Sequence, residues 1–443
     1  MGLRVGAQEL YLGTKTPYVA PTVAGTPAPA GFRAVFVNYV GRHGARYLTK
    51  AAADVNTLQV LEKASAGKGL TEAGRRIKEI VARLCEIDKG QYENITLLGA
   101  EEQRAIGNRI FDGYSSAFAG KGLDVVVTYK VRTGQSADAF LSAITTHGGY
   151  TGKVNWSKKV DSLDAVLRFY DLSPAYQRYK KSPALKRALD SLDADPRTRA
   201  VAEKVCSRLF VPAWCASLPT SEALAFADDL YDLYVATFSL PEEIRGRGWS
   251  KEGMDMGAVF SKEELAWEDF RSGAQDFLEK GPGYDPLGIQ VKVAAPLLVD
   301  FVRAMDKAII GRAPKSEGRQ RSDGGLPPDA VFRFTHAEAI SPFAALLGIG
   351  IASRPSAGIY QYHDNWQAES VIPLSANIQW ILYSDGKNYL VKVLLNEREV
   401  RLPVDAGGPY YRWEELRAYC LKRLQQVHAG LGDDMLEYLK ELK

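Results

Sequence analysis

Three stretches of this chain share one pattern: a run of apolar and β-branched residues stops at a turn bearing Arg or His and gives way to helical spacing. The first, FRAVFVNYV at residues 32–40, ends in GRHGAR. The second, DVVVTYKV at 124–131, leads into RTGQSADAFL, and the third, from Ala330, reads AVFRFT and then HAEAISPFAALLGIG. Each predicts a strand, a polar turn and a helix. Between the first two, a helix is expected near Ala51. Another is expected over 71–85, started by Thr71 and carrying Ile77, Ile80, Val81 and Leu84 on one face, and QRAIGNRIF repeats the helical spacing.

From about residue 140 to 290 the β-rich runs thin out. SEALAFADDLYDLYVATF places Phe226, Leu230, Leu233, Tyr234 and Thr237 on one stripe, which predicts an inserted helical domain. The segment AAPLLVDFVRAMDKAII has Pro296 in its first turn and Leu298, Phe301, Val302, Met305 and Ile309 on one face, as expected of a helix that returns to the first domain. Residues 311–329 are rich in Gly and Pro and carry Arg312, Lys315, Arg319 and Arg321; they read as an exposed, solvated loop. Two alternating runs about Asp385-Gly386 predict an antiparallel hairpin, and a last helix is expected from Glu414 to Val427. The fold class is therefore α/β, with residues 1–139 and 291–443 forming one discontinuous domain and 140–290 the helical insertion.

A length of 443 residues leaves ample material for a core, and no apolar run approaches the ~20 residues of a bilayer span. A formal net charge of +3 is too small and too dispersed to indicate nucleic acid or an anionic membrane as partner. Cys85, Cys206, Cys215 and Cys420 form no CxxC pair and have no His at ligand spacing, so no structural zinc is expected. Cys206 and Cys215 are close enough in sequence to close a short disulfide loop, and four buried thiols are an equal alternative. The start, MGLRVGAQEL, lacks the apolar core of a secretory signal, and residue 6 is Gly where myristoylation wants Ser or Thr.

The strand tips of α/β folds are where ligands bind, and here they carry Arg42, His43 and Arg46, then Arg132, then His336 and Glu338. Taken alone, RHGAR is also a turn with two solvated arginines, Arg132 a helix-start residue, and HAE a chance triplet; only their conjunction carries weight. Together the guanidiniums match a phosphoryl group, and helix N-termini add N–H donors. His43 is then suited to nucleophilic attack on phosphorus, with Gly44 letting the backbone come close. Arg42 and Arg46 suit the equatorial oxygens with no divalent metal required, and Glu338 suits proton transfer to the leaving oxygen. His147, His363 and His428 have no partner spacing and read as structural or exposed; Glu72, Glu101 and Glu102 read as helix-surface charges.

The Arg42-His43-Gly44-Ala45-Arg46 motif resembles the RHGxR signature of the histidine acid phosphatases, the branch that includes phytases. Thr49 and Lys50 stand where phytases of this superfamily carry a Thr-Lys pair that contacts phosphorylated inositol. Arg132, with Ser136 and Phe140, looks like the segment supplying a further phosphate-binding arginine. His336-Ala337-Glu338 departs from the usual His-Asp pair and matches the HAE form of multiple inositol polyphosphate phosphatases. LGTKTPY, LRFYDLSPAY, KGPGYDPLG, ANIQWILY and NEREVRLP are similar to that subfamily too. The resemblance implies a phosphoglycerate-mutase-like α/β sandwich with a central mixed sheet, a phosphohistidine on His43, and phosphate binding by Arg42, Arg46, Arg132 and His336. It also implies contacts from Thr49 and Lys50, proton transfer by Glu338, and no metal or other cofactor. The partner it implies is a polyanionic small molecule, an inositol polyphosphate. With the even cysteine count it favours a periplasmic or secreted protein, a cytoplasmic one remaining open.

Two other readings stand beside this one. A broad acid phosphatase or bisphosphoglycerate phosphatase would favour small phosphoesters, and a non-catalytic polyphosphate binder would keep the arginines without turnover, against which His43 and Glu338 argue. A phosphoglycerate mutase would not need so large a helical insertion.

Overall fold

The computed structural model describes residues 10–158, 163–312, 327–404 and 408–443. One mixed sheet organises them. Its strands are β1 (Arg33–Arg42), β2 (Leu123–Val127), β3 (Val154–Lys158), β4 (Ala330–Thr335), β5 (Asn377–Ser384), β6 (Tyr389–Leu395), β7 (Arg398–Glu399) and β8 (Tyr410–Arg412). They run in the order β3-β2-β4-β1-β5-β6-β7, with β8 on β6. β3, β2, β4 and β1 are parallel; β5 and β6 follow antiparallel.

The apolar runs become central strands because both faces of the sheet are covered. Along β1, Val37 and Tyr39 face a layer built from helices Leu97–Gly113 and Val131–Ser142, which brings Ile106, Ile110 and Phe140 to the sheet. Phe36 and Val40 face the larger core on the other side. Phe140 lies with its ring centroid 5.1 Å from Tyr39 and 4.9 Å from Phe332, so one helix residue spans two neighbouring strands. β5 departs from the expected alternation. It is buried along its whole length because β1 and β6 flank it and both faces are packed. The hairpin itself forms, its turn closed by Asp385 accepting from the N–H groups of Lys387 and Asn388.

Every regular element described between residues 163 and 312 is helical, including Thr220–Thr237, in which Phe226, Leu230, Leu233 and Tyr234 are buried. Six of these helices begin with Pro in the first turn, and Ser173, Ser182 and Asp195 cap three of them. β3 falls inside the span 140–290, yet it pairs with β2 at the sheet edge. Helix Ala295–Ile310 returns to the sheet through Leu298, Phe301, Val302 and Met305; each such burial is worth about 1.5–3 kcal/mol. Arg312 caps the end of this helix through Ala308 O and Pro328 O, while Lys315, Arg319 and Arg321 lie outside the described residues, as does the segment before Leu10. The four cysteines are free thiols.

Candidate active site

β1, β4 and β2 end side by side, which places the three strand tips in one cleft. Arg42 pairs with Thr335, His43 N donates to Thr335 O at 3.0 Å, and Val127 pairs with Phe334. The turn after β1 is held by the helix beneath it. Glu102 accepts from Ala45 N at 2.9 Å, Tyr18 N at 2.8 Å and Ser375 Oγ at 2.7 Å. Gln103 donates to Arg42 O, and Gly44 N donates to Ser136 Oγ. Glu102 is thus a buried brace and not the helix-surface charge expected, since its face of the helix turns toward the loop; Glu72 and Glu101 do lie on the surface, paired with Arg75 and Arg104. Contact between turn and helix is so close that a Cβ on Gly44 would stand 2.5 Å from Gly99 O.

His43 is buried, and its Nδ1 lies 2.9 Å from Gly44 O. A carbonyl only accepts, so Nδ1 carries the proton and Nε2 keeps a free lone pair. Burial, with Arg42, Arg132, His336 and Arg46 nearby, holds the ring well below the usual histidine range, hence neutral. The His336 ring centroid is 5.5 Å from that of His43. Arg132 Nη2 donates to His336 Nδ1 at 3.2 Å, which assigns the His336 proton to Nε2, 3.2 Å from Thr128 Oγ1.

Arg42 is buried and anchors one nitrogen, Nη1, on Thr14 O and Ile372 O. Burial and neighbouring guanidiniums pull Arg42 and Arg46 down to about 10, still charged at neutral pH. Nε of Arg42, Nε of Arg46, and Nε and Nη1 of Arg132 are buried without a hydrogen-bond acceptor, although Arg132 Nη1 has Glu93 at 3.5 Å as an ion pair. Buried donors left unpaired cost stability, and a bound oxyanion satisfies them.

Glu338 opens helix Ala337–Leu346 with a side chain 37% exposed, Oε1 lying 3.4 Å from Lys280 Nζ. Burial acts to raise its pKa, but Lys280, His336, its own backbone N–H and Arg42 prevail and hold the carboxyl well below the carboxylate range. The structure therefore gathers His43, Arg42, Arg46, Arg132, His336 and Glu338. Thr49 is exposed and lines a cavity of about 80 Å³ with Lys15 and Arg46. Lys50 is exposed and is not among the residues lining that cavity.

Three cations near the cluster carry no strand-tip signal. Lys15 sits in the turn Gly13–Lys15, where Arg46 and burial lower it to about 8. Arg168 is paired with Asp171 and stacks over Tyr129, and Lys280 is paired with Asp276. All three fall in stretches singled out by resemblance alone. Among the described residues, Asp269, His363 and Glu369 have ligand atoms within 4.8 Å of one another and are the one group of His, Cys, Asp and Glu suited to a metal ion. That group supplies the partners His363 lacked in sequence spacing, while Asp269 is also bonded within the protein by Tyr231.

A family model of the histidine phosphatase superfamily (branch 2) matches residues 35–396. The chain belongs to that family. This histidine phosphatase has the fold of the multiple inositol polyphosphate phosphatase of Bifidobacterium longum, solved in complex with inositol hexasulfate. The two are 23% identical over 96% of this chain and 99% of that one, with a TM-score of 0.79. It is similar also to the phytase from D. castellii, at 16% identity over 95% of this chain and 88% of that one, with a TM-score of 0.64. The comparison with curated proteins finds no match. Among the described residues of this histidine phosphatase, no helix is long and apolar enough to cross a membrane.

Proposed function

We propose that this histidine phosphatase hydrolyses inositol polyphosphates through a covalent phosphohistidine on His43. The observation that carries the reading is the His43 ring. Its proton is committed to Gly44 O, its Nε2 is free, and it is neutral among three guanidiniums, each with a buried Nε–H that lacks an acceptor. Nε2 attacks phosphorus, the bond from phosphorus to the leaving oxygen breaks, and that oxygen takes a proton from Glu338, which the carboxylate of the free enzyme must first take up from solvent. Glu338, now a carboxylate, accepts a proton from water as the water oxygen attacks the phosphohistidine and releases phosphate. Arg42, Arg46 and Arg132 hold the transferring oxygens, where charge accumulates, and His336 would join them by turning its Nε2–H from Thr128 Oγ1.

The extra cations Lys15, Arg168 and Lys280 support a substrate with several phosphates over a simple monoester. Thr49 and Lys50 would meet the outer phosphates. The test incubates purified protein with inositol hexakisphosphate in EDTA. Wild type should release phosphate and His43→Ala should not while remaining folded by circular dichroism; normal turnover by the variant overturns the reading. A higher kcat/KM on small phosphoesters than on the inositol substrate would instead indicate a broad acid phosphatase. We also propose a periplasmic or extracellular location, which cell fractionation tests.

A further inference from the structure

The carboxyl assigned to proton transfer has a counterion of its own. Lys280 follows directly on helix Lys262–Glu279, and its ammonium lies between two acids, 2.6 Å from Asp276 Oδ1 and 3.4 Å from Glu338 Oε1. The lysine side chain is 16% exposed and that of Asp276 15%, against 37% for Glu338, so Glu338 is the most accessible of the three. Asp276 holds the ammonium at a short, charge-assisted distance. The contact to Glu338 is longer, and an ammonium has three donors to distribute.

A general acid needs to lie about 2.6–3.2 Å from the oxygen it protonates. When Glu338 does so, Lys280 Nζ, 3.4 Å from that carboxyl, is close enough to reach a phosphate on the carbon next to the scissile ester. Resting on the function proposed above, we infer that Lys280 is a substrate-operated switch on the proton donor. It pairs with Glu338 in the free enzyme and turns to a neighbouring phosphate when a polyphosphorylated substrate binds, leaving Glu338 free to take up the proton it will donate. A monophosphate offers no such group, so the pair stays closed. The device selects substrates with adjacent phosphates at the proton-transfer step, beyond whatever selectivity the cationic rim gives to binding.

Every charged group facing Glu338 enters this balance. Lys280, His336, Arg42, Arg46 and Arg132 favour the carboxylate, while Asp276 and the phenols of Tyr170 and Tyr176 oppose it if ionised. Among the described residues, Lys280 is the cation within 4 Å of the carboxyl, and on the proposed mechanism the transferring phosphoryl group would engage the arginines with either kind of substrate. An opposite charge at this range lowers a carboxyl by about 1–3 units.

Single-turnover rates of phosphoryl transfer, measured across pH with glycerol 2-phosphate and with inositol hexakisphosphate, test the switch. In wild type the alkaline limb for glycerol 2-phosphate should lie about one pH unit or more below that for the inositol substrate. Lys280→Met should bring the former up toward the latter, about tenfold in rate above both limbs, and leave the latter nearly in place. Asp276→Asn should tighten the Lys280–Glu338 pair and move the glycerol 2-phosphate limb the opposite way. Comparing variants on one substrate cancels that substrate's own ionisation. Coincident limbs in wild type, or variants that lower rates without moving either limb, overturn the proposal and leave the phosphatase reading intact. Failure of wild type to transfer phosphate from inositol hexakisphosphate would instead refute the function it rests on.

Discussion

Replacing Gly99 by alanine would test whether the helix Leu97–Gly113 sets the position of the turn that carries His43. A Cβ at residue 99 would stand 2.0 Å from Ala45 O and 2.7 Å from Ala45 N. Carbon and carbonyl oxygen approach no closer than about 3.3 Å even in favourable contacts, so turn and helix must part by roughly 1.3 Å. Both sides are backbone, and no side chain can swing away. Parting them breaks the bonds from Thr96 N to Ala45 O, at 2.8 Å, and from Ala45 N to Glu102, at 2.9 Å. Each is worth about 1 kcal/mol net, and overpacking adds about 1–3 kcal/mol. Alanine returns about 1 kcal/mol of helix propensity. The balance is a loss of about 2–4 kcal/mol, a fall in Tm of about 3 °C for a chain this long. Activity should suffer more. His43 sits two residues before Ala45, and a displacement of about 1 Å at the proposed nucleophile should cost on the order of 100-fold in kcat. Gly113→Ala, in the same helix with nothing within 4 Å of the added methyl, is the control and should leave kcat unchanged and Tm no lower than wild type. Wild-type kcat and Tm in Gly99→Ala, measured with p-nitrophenyl phosphate and by thermal melting, would refute the reasoning.

Glu338→Gln should still form the phosphoenzyme from p-nitrophenyl phosphate, whose leaving group needs no proton, and should lose about 100-fold or more on alkyl phosphates; equal losses on both would speak against an acid role. Lys15 is lowered to about 8 by Arg46 and burial, so the stabilisation it contributes is present above its ordinary value of 10.5 and is lost as pH falls through 8. Lys15→Met should therefore raise Tm at pH 6 more than at pH 10, and inositol hexasulfate should stabilise wild type more than the variant at pH 6. Asp88 is pushed up to about 7 by burial, and Asp54 adds to the rise while the N–H of Leu48 and Arg46 oppose it. Its contribution is complete below about pH 4 and is lost as pH rises through 7. Asp88→Asn should match wild type at pH 4 and exceed it by about 1–3 kcal/mol at pH 8, measured by denaturant titration.

Much of this was readable along the chain, because strands buried on both faces leave long apolar runs and their polar tips stand out. The tips of β1, β2 and β4 led to His43, Arg132 and His336 directly. β5 was legible as a strand but not as a central one, since alternating character in NIQWILYS says nothing of what will cover its second face. Glu102 shares the buried spacing of Ile106 and Ile110, but a carboxylate on that face reads as a surface charge until the docked turn supplies its N–H partners. Lys15, Arg168 and Lys280 arrive from turns and helix ends, where position in sequence carries no information about distance to His43. The Ser-Pro and Asp-Pro pairs at 173, 182 and 195 do mark helix starts, a local signal that would have resolved the helical insertion further.

Arg42 joins carbonyls contributed from opposite ends of the polypeptide, at Thr14 and Ile372, and the turn beside it leans on Ser375. A nascent chain still lacking its last seventy or so residues has no means of composing the pocket, however well its earlier helices have formed. Turnover by this protein is thus a certificate of completed folding. Fragments ending before Ile372 should be inert, and adding the missing piece in trans should restore catalysis only where it restores the sheet.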